Sequence, residues 1–201
     1  QLNKNASRYQ VSSVLNGERA ENILESIAEL KDSKTVLVSY HTNDPNAGMS
    51  NNKDPGKFKL FLSDTGLFTT LMFKDRDFTE NIIYEKLLND KLSANLGYLY
   101  ENAIAQMLVA NGHKLYFYTH YNENKHRNDM KIDFIISNSS RLKYKMFPIE
   151  VKSGKQYKTT SLNNFREKYK ERIGESYIIH PRNLIVKDGI ICIPPYMTMN
   201  I

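Results

Sequence analysis

The feature that most constrains the fold is a pair of strand-like apolar runs, each carrying charge where an apolar residue is expected. The first run, KIDFII, contains Asp133, and the second, MFPIEVKSGK, contains Glu150 and Lys152. Side chains at i and i+2 of a strand point to the same face, so Glu150 and Lys152 project together. If the two runs pair, two carboxylates and one ammonium group converge. The runs therefore predict a sheet with a polar site built into it.

Two chemical interpretations of this site are open. Two adjacent carboxylates repel each other unless a divalent cation lies between them, and oxygen ligands of this kind suit Mg²⁺ or Mn²⁺. The lysine can then orient or deprotonate an attacking water and neutralise charge on a phosphate. Alternatively, Glu150 and Lys152 are solvated neighbours on an exposed strand face, and Asp133 forms a structural ion pair with Lys152, which at a surface contributes about 0–1 kcal/mol. Helix–strand alternation predicts a sheet covered on both faces, where unpaired charge is costly, and this favours a polar site.

The order D, then E-x-K, resembles the signature of the PD-(D/E)xK nucleases, and Asp133, Glu150 and Lys152 match it. The run from Phe58 to Phe165 looks like a domain found at the C-terminus of AAA-type ATPases of bacteria and archaea, whose pieces occur here in order as FKLFLSDTGLF, GYLYENAIAQML, KIDFII, IEVKSGK and SLNNF. The resemblance implies an α/β fold with a restriction-endonuclease-like mixed sheet flanked by helices.

The strongest helical pattern lies between Ser93 and Asn111, where Ser93 can cap the start and Gly112 the end. One apolar stripe runs along it and consists of Leu96, Tyr100, Ala103, Ile104, Met107 and Leu108. Glu101 lies on the flank of the stripe. The resemblance places a metal-binding glutamate on this helix, and Glu101 matches it; an ordinary surface glutamate is the alternative. A second amphipathic helix is predicted at 80–90.

Residues 1–57 are predicted to form a partial winged-helix segment and a linker, followed by the nuclease-like domain at 58–201. Apolar spacing predicts a helix from Glu18 to Leu30, and 34–41 is typical of a strand. This helix and strand resemble the tail of the winged-helix module that follows the ATPase core in the family. The helix is rich in glutamate, which favours a scaffold role over DNA reading. The Asn-, Asp-, Gly- and Pro-rich stretch from Thr42 to Lys57 is predicted to be a flexible linker.

Basic charge is concentrated in the half of the chain that contains the E-x-K pattern. Residues 1–92 carry 12 basic and 13 acidic residues, whereas residues 93–201 carry 16 and 9. This imbalance favours DNA as a partner, with Lys155, Lys158 and a basic helix from Ser161 to Arg172 close to the phosphates. A solvated basic surface is the alternative. Further along, Asp188-Gly189 predicts a tight hairpin between two strands.

Cysteine usage and hydropathy indicate the compartment. The single cysteine, Cys192, lies in an apolar run, which fits a buried side chain in a reducing cytoplasm, and no signal peptide or membrane-spanning run is evident. Because the chain begins with Gln1, we expect a fragment of a longer protein. The resemblance implies that an N-terminal ATPase domain of that protein binds ATP. This sequence itself contains no G-x-x-x-x-G-K-[ST] phosphate loop.

Two functions are therefore predicted. In the first, the domain is a Mg²⁺-dependent DNA phosphodiesterase in which Asp133 and Glu150, helped by Glu101, hold the metal, and Lys152 assists the attacking water. In the second, it is a non-catalytic module that binds nucleic acid or a protein partner and couples it to the ATPase.

Overall fold

The computed structural model describes residues 9–10, 20–73, 85, 96–138, 145–154 and 157–201. Within these residues the strands are β1 (Tyr9–Gln10), β2 (Val36–Thr42), β3 (Lys53–Leu62), β4 (Tyr116–Asn122), β5 (Arg127–Asn138), β6 (Lys145–Val151), β7 (Tyr177–Ile179), β8 (Ile185–Lys187) and β9 (Ile190–Ile193). The α-helices are α1 (Ala20–Asp32), α2 (Thr65–Phe73), α3 (Leu96–Ala110) and α4 (Thr160–Lys168), and short 3₁₀ helices lie at Pro45–Ala47, Glu123–Lys125 and Pro195–Asn200.

All of these strands belong to one mixed sheet with the order β1-β3-β2-β4-β5-β6-β7-β9-β8. Pairing is antiparallel between β2 and β3, β4 and β5, and β5 and β6. It is parallel between β2 and β4, β6 and β7, and β7 and β9. The predicted α/β architecture with a mixed sheet is confirmed.

Helices cover both faces of the central strands. On one face, Ile104 and Leu108 of α3 pack with sheet residues such as Ile179. On the other face, Phe165 of α4 packs with residues such as Ile178. Neighbouring residues of β7 thus belong to opposite layers, as the alternation of side chains along a strand requires. A charged side chain in the middle of these strands, such as Asp133 or Glu150, is therefore removed from water.

The predicted helix at 18–30 is confirmed from Ala20 onwards as α1, while residues 18 and 19 lie outside the described residues, and the predicted strand at 34–41 is confirmed as β2. The linker prediction is wrong at its C-terminal end, because β3 begins at Lys53, and the predicted domain boundary after residue 57 lies inside this strand. Between the pairs Tyr40–Phe58 and His41–Asp54 the register shifts, so β3 contains extra residues there. Proline and glycine at such an irregularity resemble a linker in sequence, although the strand continues.

Helix α3 (Leu96–Ala110) confirms the helix predicted between Ser93 and Asn111 over the residues that the structure describes. The helix ends as expected, with Gly112 at a φ of +86°. The helix predicted at 80–90, except for residue 85, and the predicted cap Ser93 lie outside the described residues. No helix in the described ranges has the length and apolarity needed to cross a membrane.

Candidate functional site

The charged residues meet where β5 and β6 separate. The two strands pair as far as Phe134 with Ile149, and one more step places Asp133 opposite Glu150. At this point the backbone N–H of Val151 donates to Asp133 Oδ2 at 3.1 Å. The acceptor is thus a carboxylate side chain of β5 instead of a backbone carbonyl of that strand. Beyond the fork, β6 continues beside β7 alone. The fork thus creates room for polar side chains inside the sheet.

A bulge in β5 directs Asp133 into this fork. Tyr116 and Tyr118 of β4 pair with Ile135 and Ile132, so two steps on β4 correspond to three on β5. As a result, Ile132 packs in the layer of α4 and Phe134 in the layer of α3, although they are two residues apart. Bulges of this kind re-aim a side chain next to functional sites. Asp133, 5% exposed, lies between these two residues.

Lys59 of β3 contributes a buried ammonium group that the sequence analysis did not identify. Its Nζ lies 3.3 Å from Glu101 Oε2 and 3.7 Å from Asp133 Oδ1, and it donates to the Asp133 backbone carbonyl at 3.4 Å. The rings of Phe117 and Phe134 lie 5.3 and 5.6 Å from the same nitrogen. Lys59 therefore joins the glutamate of α3 to the aspartate of β5.

A second ion pair lies on the other side of the fork. Glu150 is fully buried, and its Oε2 lies 2.7 Å from Lys152 Nζ. The other oxygen, Oε1, has no close hydrogen bond in the described part of the chain, although the Ser161 hydroxyl lies near enough to stabilise the carboxylate. Lys152 is 26% exposed at its side chain, and its backbone N–H donates to the Ile179 carbonyl. The fork therefore opens to solvent through the lysine rather than through the glutamate.

Burial and ion pairing shift the pKa values of these groups in defined directions. Burial raises the pKa of Glu150, and the nearby Lys152 ammonium offsets part of that rise. Burial likewise raises the pKa of Glu101, although Lys59 opposes the effect. Burial by itself lowers the pKa of Lys152, but the Glu150 carboxylate, followed by Asp133 and Glu101, outweighs it, so that the pKa is raised. Lys152 is therefore held in its protonated form.

Asp133, Glu150 and Lys152 lie at one fork. Glu101 is connected to this fork through Lys59, which pairs with both Glu101 and Asp133. Across the ranges that the structure describes, no three histidine, cysteine, aspartate or glutamate side chains are grouped as ligands of a metal ion. Lys158 is exposed just before α4, and Lys155 lies outside the described residues.

The position of Lys59 explains why sequence reasoning missed it. The alternation in FKLFLS predicts a polar face at this residue, which usually means a solvated one. In the structure β3 lies inside the sheet between β1 and β2, and α3 approaches its Lys59 side through Glu101. The only local signal is a lysine flanked by apolar residues, which many exposed strands share.

Comparison with known proteins gives one match. The family model described as "Domain of unknown function (DUF4143)" matches residues 96–197, just over half of the chain. This range includes α3 and the whole fork, whereas Lys59 precedes it. Searches of curated proteins and of solved structures give no match.

Proposed function

Since this chain belongs to the DUF4143 family, whose domains occur at the C-terminus of AAA-type ATPases, we propose that it is the nuclease-like domain of such an ATPase. In this proposal it is a Mg²⁺- or Mn²⁺-dependent phosphodiesterase that acts on DNA in the cytoplasm. In this proposal its sheet, which includes β2, is a restriction-endonuclease-like fold, and α1 is the remainder of a winged helix. ATP binds only to the N-terminal ATPase domain of the parent protein.

One observation supports this proposal most strongly: Asp133 and Glu150 lie at the same fork in the sheet, where Glu150 pairs with the ammonium group of Lys152 and Asp133 accepts from the Val151 N–H. A fully buried glutamate is costly, and it becomes more so when one oxygen lacks a hydrogen-bond partner. Function is a frequent reason for retaining such a group, because strongly perturbed carboxylates cluster at active sites. An ordinary packing role gives no reason for this arrangement.

The side chains provide the right donor chemistry for a hard divalent cation. Glu150 Oε1 is buried and without a hydrogen-bond partner among the described residues, and carboxylate oxygens are the ligands that Mg²⁺ and Mn²⁺ prefer. Asp133 and Glu101 are the other candidate ligands, although both already contact Lys59. When bound, the cation would activate water and neutralise charge on the phosphate.

The protein's own residues would perform the remaining tasks. Lys152 has a raised pKa, so at neutral pH it donates hydrogen bonds instead of accepting a proton. We therefore assign it to orienting the attacking water and to stabilising the negative charge of the transition state, not to deprotonation. In this proposal Lys158, exposed before α4, contacts the DNA backbone together with Lys155.

The proposal is tested by incubating supercoiled and branched DNA with the protein and Mg²⁺ or Mn²⁺. We expect wild type to cut, and both Lys152→Ala and Glu150→Gln to lose cleavage while still binding DNA. Lys145→Ala is the matched control, because Lys145 is an exposed lysine at the opposite end of β6. Equal cleavage by wild type and Lys152→Ala would refute the assignment of the site.

A non-catalytic module that binds nucleic acid or a protein partner is the second candidate. The observation in its favour is Lys59, whose ammonium group contacts both Asp133 and Glu101 and compensates part of their negative charge without a metal. If neither wild type nor the variants cut but all bind DNA, and Lys158→Ala weakens that binding, a nucleic-acid-binding module replaces the nuclease. If none of them binds DNA, a protein partner becomes the explanation.

A further inference from the structure

We infer that Lys59 is an internal counter-ion that competes with a divalent cation for Asp133 and Glu101, so that the site accepts metal only when the lysine withdraws. The inference rests on the metal site of the proposed function and adds a residue that controls its occupancy. Lys59 is only 3% exposed, so its charge requires compensation within the protein.

Three oxygens surround the ammonium group of Lys59. It donates hydrogen bonds to Glu101 Oε2 at 3.3 Å and to Asp133 O at 3.4 Å, and Asp133 Oδ1 lies at an ion-pair distance of 3.7 Å. The aromatic faces of Phe117 and Phe134 add an attraction that favours a cation at the same point. Lys59 is thus bound by the groups that would otherwise attract a metal ion.

The same contacts occupy the oxygens that a metal would need. Asp133 Oδ1 faces Lys59, and Asp133 Oδ2 accepts from the Val151 N–H. Mg²⁺ demands a near-octahedral set of oxygens at short distance and tolerates little distortion. With Lys59 in place, Glu150 Oε1 is a buried carboxylate oxygen without an ion-pair partner in the described residues, and the Ser161 hydroxyl lies near the Glu150 carboxylate. A cation that also uses Asp133 or Glu101 must displace the lysine.

Charge balance leads to the same conclusion. The ion pairs of the fork join three carboxylates, of Glu101, Asp133 and Glu150, with two ammonium groups, of Lys59 and Lys152, and Lys131 adds a further positive charge near Glu101. An added divalent cation would give the cluster a net positive charge while Lys59 remains in place. Since repulsion between cations is strong where water is scarce, the lysine and the metal exclude each other.

The test is calorimetric titration of the 201-residue chain with Mn²⁺ alone, comparing wild type, Lys59→Met and Lys57→Met. Lys57 is the matched control, because it is an exposed lysine two residues away on the same strand. We expect Lys59→Met to bind Mn²⁺ about 10- to 100-fold more tightly than wild type, which is the range over which residues around a ligand set alter metal affinity. Lys57→Met should match wild type.

Equal Mn²⁺ affinities of folded Lys59→Met and wild type would overturn the inference, as would absence of Mn²⁺ binding by both. If Lys59→Met does not fold, wild type still decides the question. The ¹³Cε resonance of Lys59, followed by NMR, should shift when Mg²⁺ is added, and no shift at any Mg²⁺ concentration would overturn the inference.

Failure of the inference and failure of the proposed function give different results. Tighter Mn²⁺ binding by Lys59→Met, without DNA cleavage by wild type, would refute the phosphodiesterase and support the competition. Metal-dependent cleavage by wild type, with equal Mn²⁺ affinities of wild type and Lys59→Met, would refute the competition alone.

Discussion

Replacing Lys59 by methionine tests how much the buried ammonium group contributes to stability. Methionine keeps an unbranched apolar stem close to Phe117 and Phe134 but removes the charge. Glu101 then loses the partner of its Oε2, and Asp133 keeps only the Val151 N–H. Both carboxylates become buried negative charges with insufficient compensation, and the folded state is destabilised.

The expected magnitude follows from the burial of the three groups. The side chains of Lys59, Glu101 and Asp133 are only 3%, 14% and 8% exposed, so solvent screens their interactions weakly. Removing one partner of a buried ion pair typically costs about 3–5 kcal/mol. In a domain of this size each kcal/mol corresponds to about 2–4 °C, so Tm should fall by about 6–20 °C. In Lys57→Met an exposed pair with Asp54 is lost, at a cost of at most about 1 kcal/mol.

The assay is urea unfolding at pH 7, followed by far-UV circular dichroism or by tyrosine fluorescence, since the chain has 13 tyrosines and no tryptophan. Adding Glu101→Gln to Lys59→Met should recover part of the loss, because one of the two uncompensated charges disappears. A free energy of unfolding of Lys59→Met within about 0.5 kcal/mol of wild type would refute the reasoning, since surface substitutions have effects of that size.

Three further predictions concern the fork, α3 and the last hairpin. Burial raises the folded-state pKa of Glu150, so the protein loses stability as pH rises from about 4.3 through that pKa. Glu150→Gln should therefore stabilise the protein by about 0.5–2 kcal/mol at pH 7 and by less at pH 4. Urea unfolding at both pH values checks this, and an equal gain at the two pH values would contradict it. Asn102→Ala should cost about 1–3 kcal/mol by thermal unfolding, because the Asn102 amide bonds both the N–H and the C=O of Leu62; an unchanged Tm would contradict this. Gly189→Ala should cost about 1–2 kcal/mol in urea unfolding, because φ is +70° and a Cβ would lie 2.7 Å from Arg166 Nη2; wild-type stability would show that the turn tolerates a side chain.

Local patterns predicted a large part of the fold. The apolar stripe around Ile104 and Leu108 correctly indicated α3, because its period depends only on the geometry of one helix. The turn at Asp188-Gly189 was predicted for a similar reason, since both residues adopt the positive φ values, 53° and 70°, that a tight hairpin requires. The stretch from Lys53 to Lys57 was predicted incorrectly, because its pairing with β2 is not visible in its composition.

The sequence by itself indicated that Glu150 and Lys152 share a face, because side chains two residues apart on an extended chain point the same way; Lys152 follows the last residue of β6, and its contact with Glu150 agrees with this. Only the tertiary structure decided what Asp133 and Glu101 contact. The bulge in β5 changes the direction of the Asp133 side chain. Lys59, which contacts Asp133, belongs to β3 and lies 74 positions earlier in the chain. The charge balance of the site depends on such long-range packing. The sequence alone does not show whether a lysine is buried or solvated.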